Sequence, residues 1–446
     1  MTSVVRTTWP LLLGMLLLMV GNGMQGTLLG IRGGIEGIPT FEMSVVIAGY
    51  YVGFLLGSLT VPAMIKSVGH VRVFAALGST ISAVLVLYAL APNWVAWSFL
   101  RFAIGFCFCG VYITAESWLN AGSTNENRGQ ALSAYMIMQM LGIVGAQALL
   151  NFGDPSGFVL FALPSVLVSL AFMPILLSAQ PAPQFETIKR MSFARLYRAS
   201  PLGCVGIFLM GGVFSALSGM APVWGTSIGL SVAQIASFVA AIYIGGLVLQ
   251  YPIGWISDRY DRRKLVLMMS AAGALVTLAT VVLQPSVWGL TLVAAVMGGL
   301  ANPIYALLLA YTNDYLDQAD MAAASAGLLF IYGVGSMGGP VITGWLMGQI
   351  GPDGYWVYMG ILLGALALYG GWRMTRRRAL TPAEQGSFAV IAPNATPLAV
   401  EAALDGAQSQ PDGGGQSTSG GAAASTGQQG DAPDAASEGA DRHTGG

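Results

Sequence analysis

Charge is what this 446-residue sequence most conspicuously lacks: Asp, Glu, Lys and Arg make up 9% of it, against 55% apolar residues. A soluble domain carries about 25% charged residues. A soluble enzyme or a nucleic-acid-binding fold of this length would therefore be short of polar surface, and no nucleic-acid partner is expected. Histidine occurs 2 times and cysteine 3 times. Cys107, Cys109 and Cys204 all lie in apolar runs, which leaves no disulfide framework and no zinc spacing. No Walker-type phosphate loop and no nucleophile constellation is present, so the chain is not read as an enzyme, ATP-driven transport is unsupported and no cofactor is assigned. What the sequence does have is a mean hydropathy of +0.67. That marks an integral membrane protein with the lipid bilayer as its solvent.

A membrane-spanning helix needs about 20 mostly apolar residues. Twelve such windows fall at approximately 9–31, 43–65, 72–91, 94–118, 128–151, 157–178, 202–224, 232–254, 264–284, 287–311, 322–347 and 354–372. The first reads as a span and not a cleavable leader, because no small-residue cleavage site follows it. With both termini cytoplasmic, nearly every Lys and Arg of the loops falls inside and only Arg32 falls outside, as the positive-inside rule requires. The bacterial inner membrane is the expected location. A Pro-containing basic break divides the spans six and six. The reading is thus an N-terminal six-helix bundle over 1–180, a cytoplasmic linker at 181–201, a C-terminal six-helix bundle over 202–373, and a disordered polar tail over 374–446.

The two halves repeat each other. Tyr51-Val-Gly53 matches Tyr243-Ile-Gly245, and the same offset carries Lys66 onto Asp258, Gly69 onto Asp261 and Arg72 onto Lys264. Trp118-Leu119 and Tyr135 match Tyr315-Leu316 and Tyr332. Parallel six-helix halves are one of the established transporter designs. The expected fold class is therefore all-α integral membrane: twelve transmembrane helices in two pseudo-symmetric six-helix bundles.

The run Gly254-Trp-Ile-Ser-Asp258-Arg259-Tyr-Asp261-Arg262-Arg263-Lys264 resembles the signature loop of the major facilitator superfamily in its second-half copy. Arg101-Phe-Ala-Ile-Gly105, followed by Arg128-Gly129, resembles that superfamily's fourth-helix motif and the start of its fifth helix. Glu116-Ser-Trp-Leu119, Asn127-Arg-Gly129 and Ala134-Tyr-Met136 are similar to the YcaD-like branch. The resemblance implies that the loop carboxylate Asp258 faces the start of the fifth span, near Arg128 and Gly129. Two departures stand out. Lys66 occupies the first-half position where the family usually has Asp, and the fifth span lacks the Gly-Pro element of many drug/proton antiporters.

Charges within hydrocarbon cost about 2.5 kcal/mol or more and are functional candidates by default. Arg101 lies well inside the fourth span and Glu116 near its inner end, about 22 Å apart along the axis, so they cannot pair with each other. Arg101 reads either as an anion or proton-linked site facing the cavity, or as a hydrogen-bonder to first-span carbonyls. Glu116 reads either as a coupling carboxylate or as a solvated cap. Asn22, Gln25, Asn302 and Tyr305 are expected to line one central pocket, with Asn302-Pro303 interrupting the tenth span. Tyr51, Gln139 and Tyr243 join them as pathway residues or as cross-helix hydrogen-bonders, as do Tyr135 and Tyr332. Arg32 and Glu36 have the spacing of a helical ion pair. At the cytoplasmic gate Lys66 and Arg72 would face Asp314, Asp317 or Asp320 in a swap of polarity, with Arg262 in the opposite loop.

The expected function is secondary active transport of a small-molecule substrate by alternating access, with protons as an optional coupling ion and oligomeric state open. A transporter-like protein serving assembly or sensing without flux is the alternative. The pairs Met15/Met19 and Met136/Met140, with Cys107 and Cys109, add a Cu(I) importer as a lesser one, though methionine also fills irregular cores.

Overall fold

The computed structural model describes residues 2–124, 127–176 and 191–376, together with Val400 and Ala403. The expected tail lies almost wholly outside the described residues. Among those residues there is no strand, and twelve helical segments are long and apolar enough to cross a membrane. In the first half they are α1 (Thr2–Ile35), α2 (Thr40–Val68), α3 (His70–Leu90), α4 (Trp94–Ala121), α5 (Arg128–Leu149) and α6 (Val159–Leu176).

The connecting segment is not all loop. Residues expected in the linker form the short helix α7 (Phe193–Ala199), whose Ser192 caps its N-terminus through Arg195 N. Arg195 pairs with Asp320 at 2.6 Å and Phe193 packs on Phe330, with ring centroids 5.2 Å apart. Hydropathy reading misses a helix this short, because it rests on tertiary contacts and not on propensity.

The seventh span is built from α8 (Pro201–Phe214), a π-helical segment Ser215–Met220, and α9 (Ala221–Ser227). The rest follow as α10 (Val232–Ser257), α11 (Arg262–Leu283), α12 (Val287–Asn313), α13 (Gln318–Ile350) and α14 (Gly354–Met374). The expected break at Asn302-Pro303 is absent: α12 runs helically through Pro303. A proline deletes one backbone donor, and in a packed span neighbours absorb that loss. The discontinuity sits instead in the seventh span. There the π segment frees the Leu217 carbonyl to accept a hydrogen bond from the Tyr355 hydroxyl at 2.8 Å. Such π segments recur at functional sites.

Packing repeats between the halves. In the first, α1 lies against α5, α2 against α4 and α3 against α6; in the second, α8 lies against α13, α10 against α12 and α11 against α14. The tightest crossings are made by glycines at matching positions. A Cβ on Gly53 would strike the Phe102 carbonyl and one on Gly105 the Tyr50 carbonyl. In the second half a Cβ on Gly245 would strike the Ala295 carbonyl and one on Gly298 the Ile242 carbonyl. Without side chains the backbones come into direct contact, which is how spans associate when lipid removes any hydrophobic drive.

The halves meet through α2 with α13, α5 with α10, and α1 with α9. Towards the end that holds the α1–α2 turn, Gly30 abuts Pro222, Gly34 abuts Thr226 and Gly344 abuts Ser44. Deeper in, Gly219 meets Ile47 and Gly333 meets Leu55. At that same end Arg32 ion-pairs with Glu36 at 2.6 Å and donates to the carbonyls of Pro155 and Ser156, tying α1 to the α5–α6 connection.

Candidate functional site

At mid-depth between the halves lies a cavity of about 150 Å³, room for on the order of ten waters. Helix periodicity explains its walls. On α1, Asn22, Gln25 and Gly26 share a face; on α5, Met136, Gln139, Met140, Ile143 and Gln147 form a stripe at helical spacing. Arg101 enters from α4, Tyr50 and Tyr51 from α2, Ser218 and Gly219 from the π segment, Tyr243 from α10, Asn302 from α12 and Tyr332 from α13. Both halves therefore contribute.

Arg101 is 6% exposed and donates to Gln25 Oε1 at 2.6 Å, while its guanidinium lies 5.1 Å from the Tyr50 ring centroid. Of the two readings of this residue, its placement on the cavity wall accompanies a bond to a first-span side chain, not to first-span carbonyls. Gln25 passes its amide N–H to Asn22 Oδ1 at 3.1 Å, and Asn302 turns its own back to the Gly298 carbonyl at 3.0 Å. The structure thus gathers Asn22, Gln25, Tyr51, Arg101, Gln139, Tyr243 and Asn302 around one space.

Other expected residues are placed elsewhere. Tyr305 is 2% exposed and stands behind the cavity wall, its ring 5.3 Å from that of Tyr332 in a T-shaped pair. Three-residue spacing would allow it to share a face with Asn302; its packing against Tyr332 keeps it off the lining. Glu116 is not on the cavity either. It is 2% exposed and accepts a hydrogen bond from Tyr135 at 3.3 Å, which replaces the picture of a solvated cap with a buried carboxylate. Beside it His70 Nε2 lies 3.1 Å from Ser117 Oγ.

The expected gate pairs are rearranged. Asp314 is held by Arg262, itself 1% exposed, at 2.6 Å, and Arg262 also reaches Asp258 at 3.5 Å. Asp320 is taken by Arg195 of α7. Lys66, Arg72 and Asp317 are exposed, so the polarity swap of Lys66 or Arg72 onto Asp314 or Asp320 is not what this structure contains. The physical reason is proximity: Arg262 and Arg195 reach those carboxylates from the same half and its linker, with no need for an inter-half contact. Arg128 opens α5.

Of the sulfur groups, Met136 and Met140 face the cavity, whereas Met15, Met19, Cys107 and Cys109 are buried, with Met19 Sδ accepting from the Tyr112 hydroxyl at 3.3 Å. Met15, Met19, Cys107 and Cys109 are not among the residues that line the cavity. Sequence reading missed Tyr50, Tyr112, Gln147 and Ser218. Gln147 was accessible to it, lying two turns beyond Gln139 on the same helix face. Ser218 was not, because only the π segment turns it inward.

Two similar six-helix halves enclosing a mid-depth cavity with polar tips define a membrane transport protein. The comparisons agree. The Major Facilitator Superfamily profile matches residues 11–229 and 203–406, and the chain belongs to that family. It is a multi-pass bacterial membrane transporter. The MFS-type transporter YcaD of Escherichia fergusonii is 26% identical over 354 residues, covering 78% of this chain and 90% of that protein. An MFS-type transporter of Enterobacter sp. (strain 638) is 27% identical over 353 residues, with the same coverage. Among solved structures, the nucleoside transporter NupG superimposes with a TM-score of 0.65 at 13% identity, covering 83% of this chain and 98% of that one. A bacterial homologue of the human lysosomal transporter Spinster, inward-facing and occupied, gives 0.66 at 14% identity, covering 86% and 98%. These structural likenesses establish the fold.

Proposed function

We propose that this protein is a secondary active transporter that moves a small solute by alternating access, the two halves rocking about the central cavity. The observation that carries this reading is the cavity itself: it is walled by both halves and lined by amides, tyrosines and a buried arginine. A cavity plugged with bulky apolar side chains would instead have favoured a role in assembly or sensing. The close contacts of Gly30, Gly34 and Gly344 across the halves support a state shut at the end expected to face outward, with the termini in the cytoplasm. Rocking the halves apart there, and together around Lys66, Arg72 and Asp258, completes the cycle.

Proton coupling is attached to Glu116, a carboxylate 2% exposed in a spanning helix. The Tyr135 hydroxyl donates to it at 3.3 Å, a contact that a rearrangement of α4 against α5 would make or break.

The test is an untargeted comparison of metabolites passing into proteoliposomes, with and without a pH gradient. Arg101→Ala should abolish passage while the protein remains inserted, and Glu116→Gln should remove the effect of the gradient. If no solute passes with wild-type protein correctly inserted, the transport reading fails and the assembly or sensing role takes its place.

A further inference from the structure

The first-half wall of the cavity is a chain of hydrogen bonds that all run in one direction. A guanidinium can only donate, so Gln25 must turn its carbonyl oxygen to Arg101, as it does at 2.6 Å. That leaves Gln25 Nε2 to donate to Asn22 Oδ1 at 3.1 Å, and Asn22 Nδ2 to donate to the Tyr112 hydroxyl at 3.5 Å. Tyr112 in turn donates to Met19 Sδ at 3.3 Å. Each amide in this relay turns its oxygen towards Arg101 and its N–H away from it, and Arg101, Gln25 and Asn22 all line the cavity.

Three further observations point the same way. Arg101 Nε is buried and has no hydrogen-bond partner, on a residue that is itself 6% exposed. Among the residues lining the cavity none is acidic, and Arg101 carries the sole formal charge. The repeat that sets Gly105 against Gly298 sets Arg101 against Ala294, so the second half brings no counter-charge at the matching position. A buried cation with no counter-charge beside it is costly until an anion joins it. Aromatic rings close the remaining space: Tyr50, Phe54, Phe214, Tyr243 and Tyr332. Gln147 Oε1, likewise buried without a partner, offers an acceptor on the α5 side.

We infer, on the footing of the transport reading above, that the substrate is a small organic anion: a carboxylate docks on Arg101 and its body lies against the tyrosine rings. A hydroxyl on that body has Gln147 Oε1 to donate to. The aromatic lining separates this ligand from a bare inorganic anion, which would gain nothing from it.

The experiment measures ligand-induced thermal stabilisation of the purified full-length protein by matched triplets of acid, amide and amine. The triplets are lactate, lactamide and 1-amino-2-propanol; benzoate, benzamide and benzylamine; and phenylacetate, phenylacetamide and phenethylamine. Sodium chloride serves as the inorganic control. Acids are expected to bind roughly tenfold or more tightly than their amides, and amines not at all. Arg101→Gln should weaken acid binding by about 30-fold or more, the usual consequence of removing one member of a buried charge pair. Arg101→Lys should retain part of it, having a charge but no planar fork. Ser218→Asp, which leaves Arg101 in place and adds a competing carboxylate to the same cavity, should also weaken the acids; it decides the matter if Arg101→Gln does not fold.

Equal binding of amides or amines, acid binding unchanged in Arg101→Gln or Ser218→Asp, stabilisation reproduced by chloride, or no acid binding at all would each overturn the assignment. Proteoliposomes then separate the two readings. An acid that binds through Arg101 but never crosses refutes transport and keeps the site. Passage of neutral or cationic solutes alone keeps transport and refutes the anion.

Discussion

Adding one methyl group to α1 should open the outer end of this protein. Gly30 packs on the seventh span so closely that a Cβ there would sit 2.6 Å from Pro222 Cβ and 3.2 Å from Val223 N. Carbon atoms rest about 3.5–4.0 Å apart, so Gly30→Ala forces a separation of about 1 Å. Neither neighbour can swing away, since one belongs to a proline ring and the other to backbone. Overpacking of this kind costs about 1–3 kcal/mol, and it is felt only where α1 and α9 touch. A state in which these ends part bears none of it. At 1.4 kcal/mol per factor of ten, the open-to-closed ratio rises roughly 5- to 150-fold. The measurement is the labelling rate of Ser218→Cys, a cavity position, by a membrane-impermeant maleimide added from the outer face. Cys107, Cys109 and Cys204 are all buried, so background labelling should be low. Gly364→Ala, where a Cβ meets nothing within 4 Å, is the control. Labelling that is unchanged in folded Gly30→Ala protein, or that rises equally in the control, would refute the closure argument.

Asp314→Asn removes the 2.6 Å carboxylate partner of Arg262, a cation 1% exposed; loss of one member of a buried pair costs about 3–5 kcal/mol, and a thermal melt unchanged by the substitution would contradict the burial. Tyr355→Phe strips the donor from the Leu217 carbonyl in the π segment; about 1–3 kcal/mol of stability should go, read in the same melt, and no loss would mean that the carbonyl is satisfied without it. Asp261 caps α11 at Arg263 N and takes the Arg263 guanidinium at 2.8 Å. Burial pushes its carboxyl up, but the hydrogen bonds and charge of Arg263 outweigh burial and hold it below the usual aspartate value. Its contribution to stability is therefore present above the unfolded-state pKa and is lost as pH falls through the lower, folded one. Asp261→Asn should flatten that acid limb in a pH series of unfolding midpoints, and an unaltered limb would exclude Asp261 as its source.

Much of this architecture was legible without coordinates because the bilayer imposes it. Scarce charge and twelve apolar windows leave helices as the only way to satisfy the backbone in lipid, and the repeated Tyr-x-Gly set one half against the other. The cavity's first-half wall was legible for the same reason: Asn22, Gln25, Arg101 and Gln139 are polar where polarity is costly. What required tertiary structure was direction and partnership. Tyr305 carries the same kind of signal as Tyr243, yet it stands behind the wall packed on Tyr332, a partnership that helical spacing does not announce. The π segment that turns Ser218 inward has no hydropathy signature, since it changes hydrogen-bond register and not composition. Ion pairing was decided by reach. Asp314 and Asp320 are equally acidic in the sequence, but Arg262 and Arg195 happen to lie within 2.6 Å of them, and Lys66 does not compete. Composition determines which groups cannot face lipid; only packing determines which of them face each other.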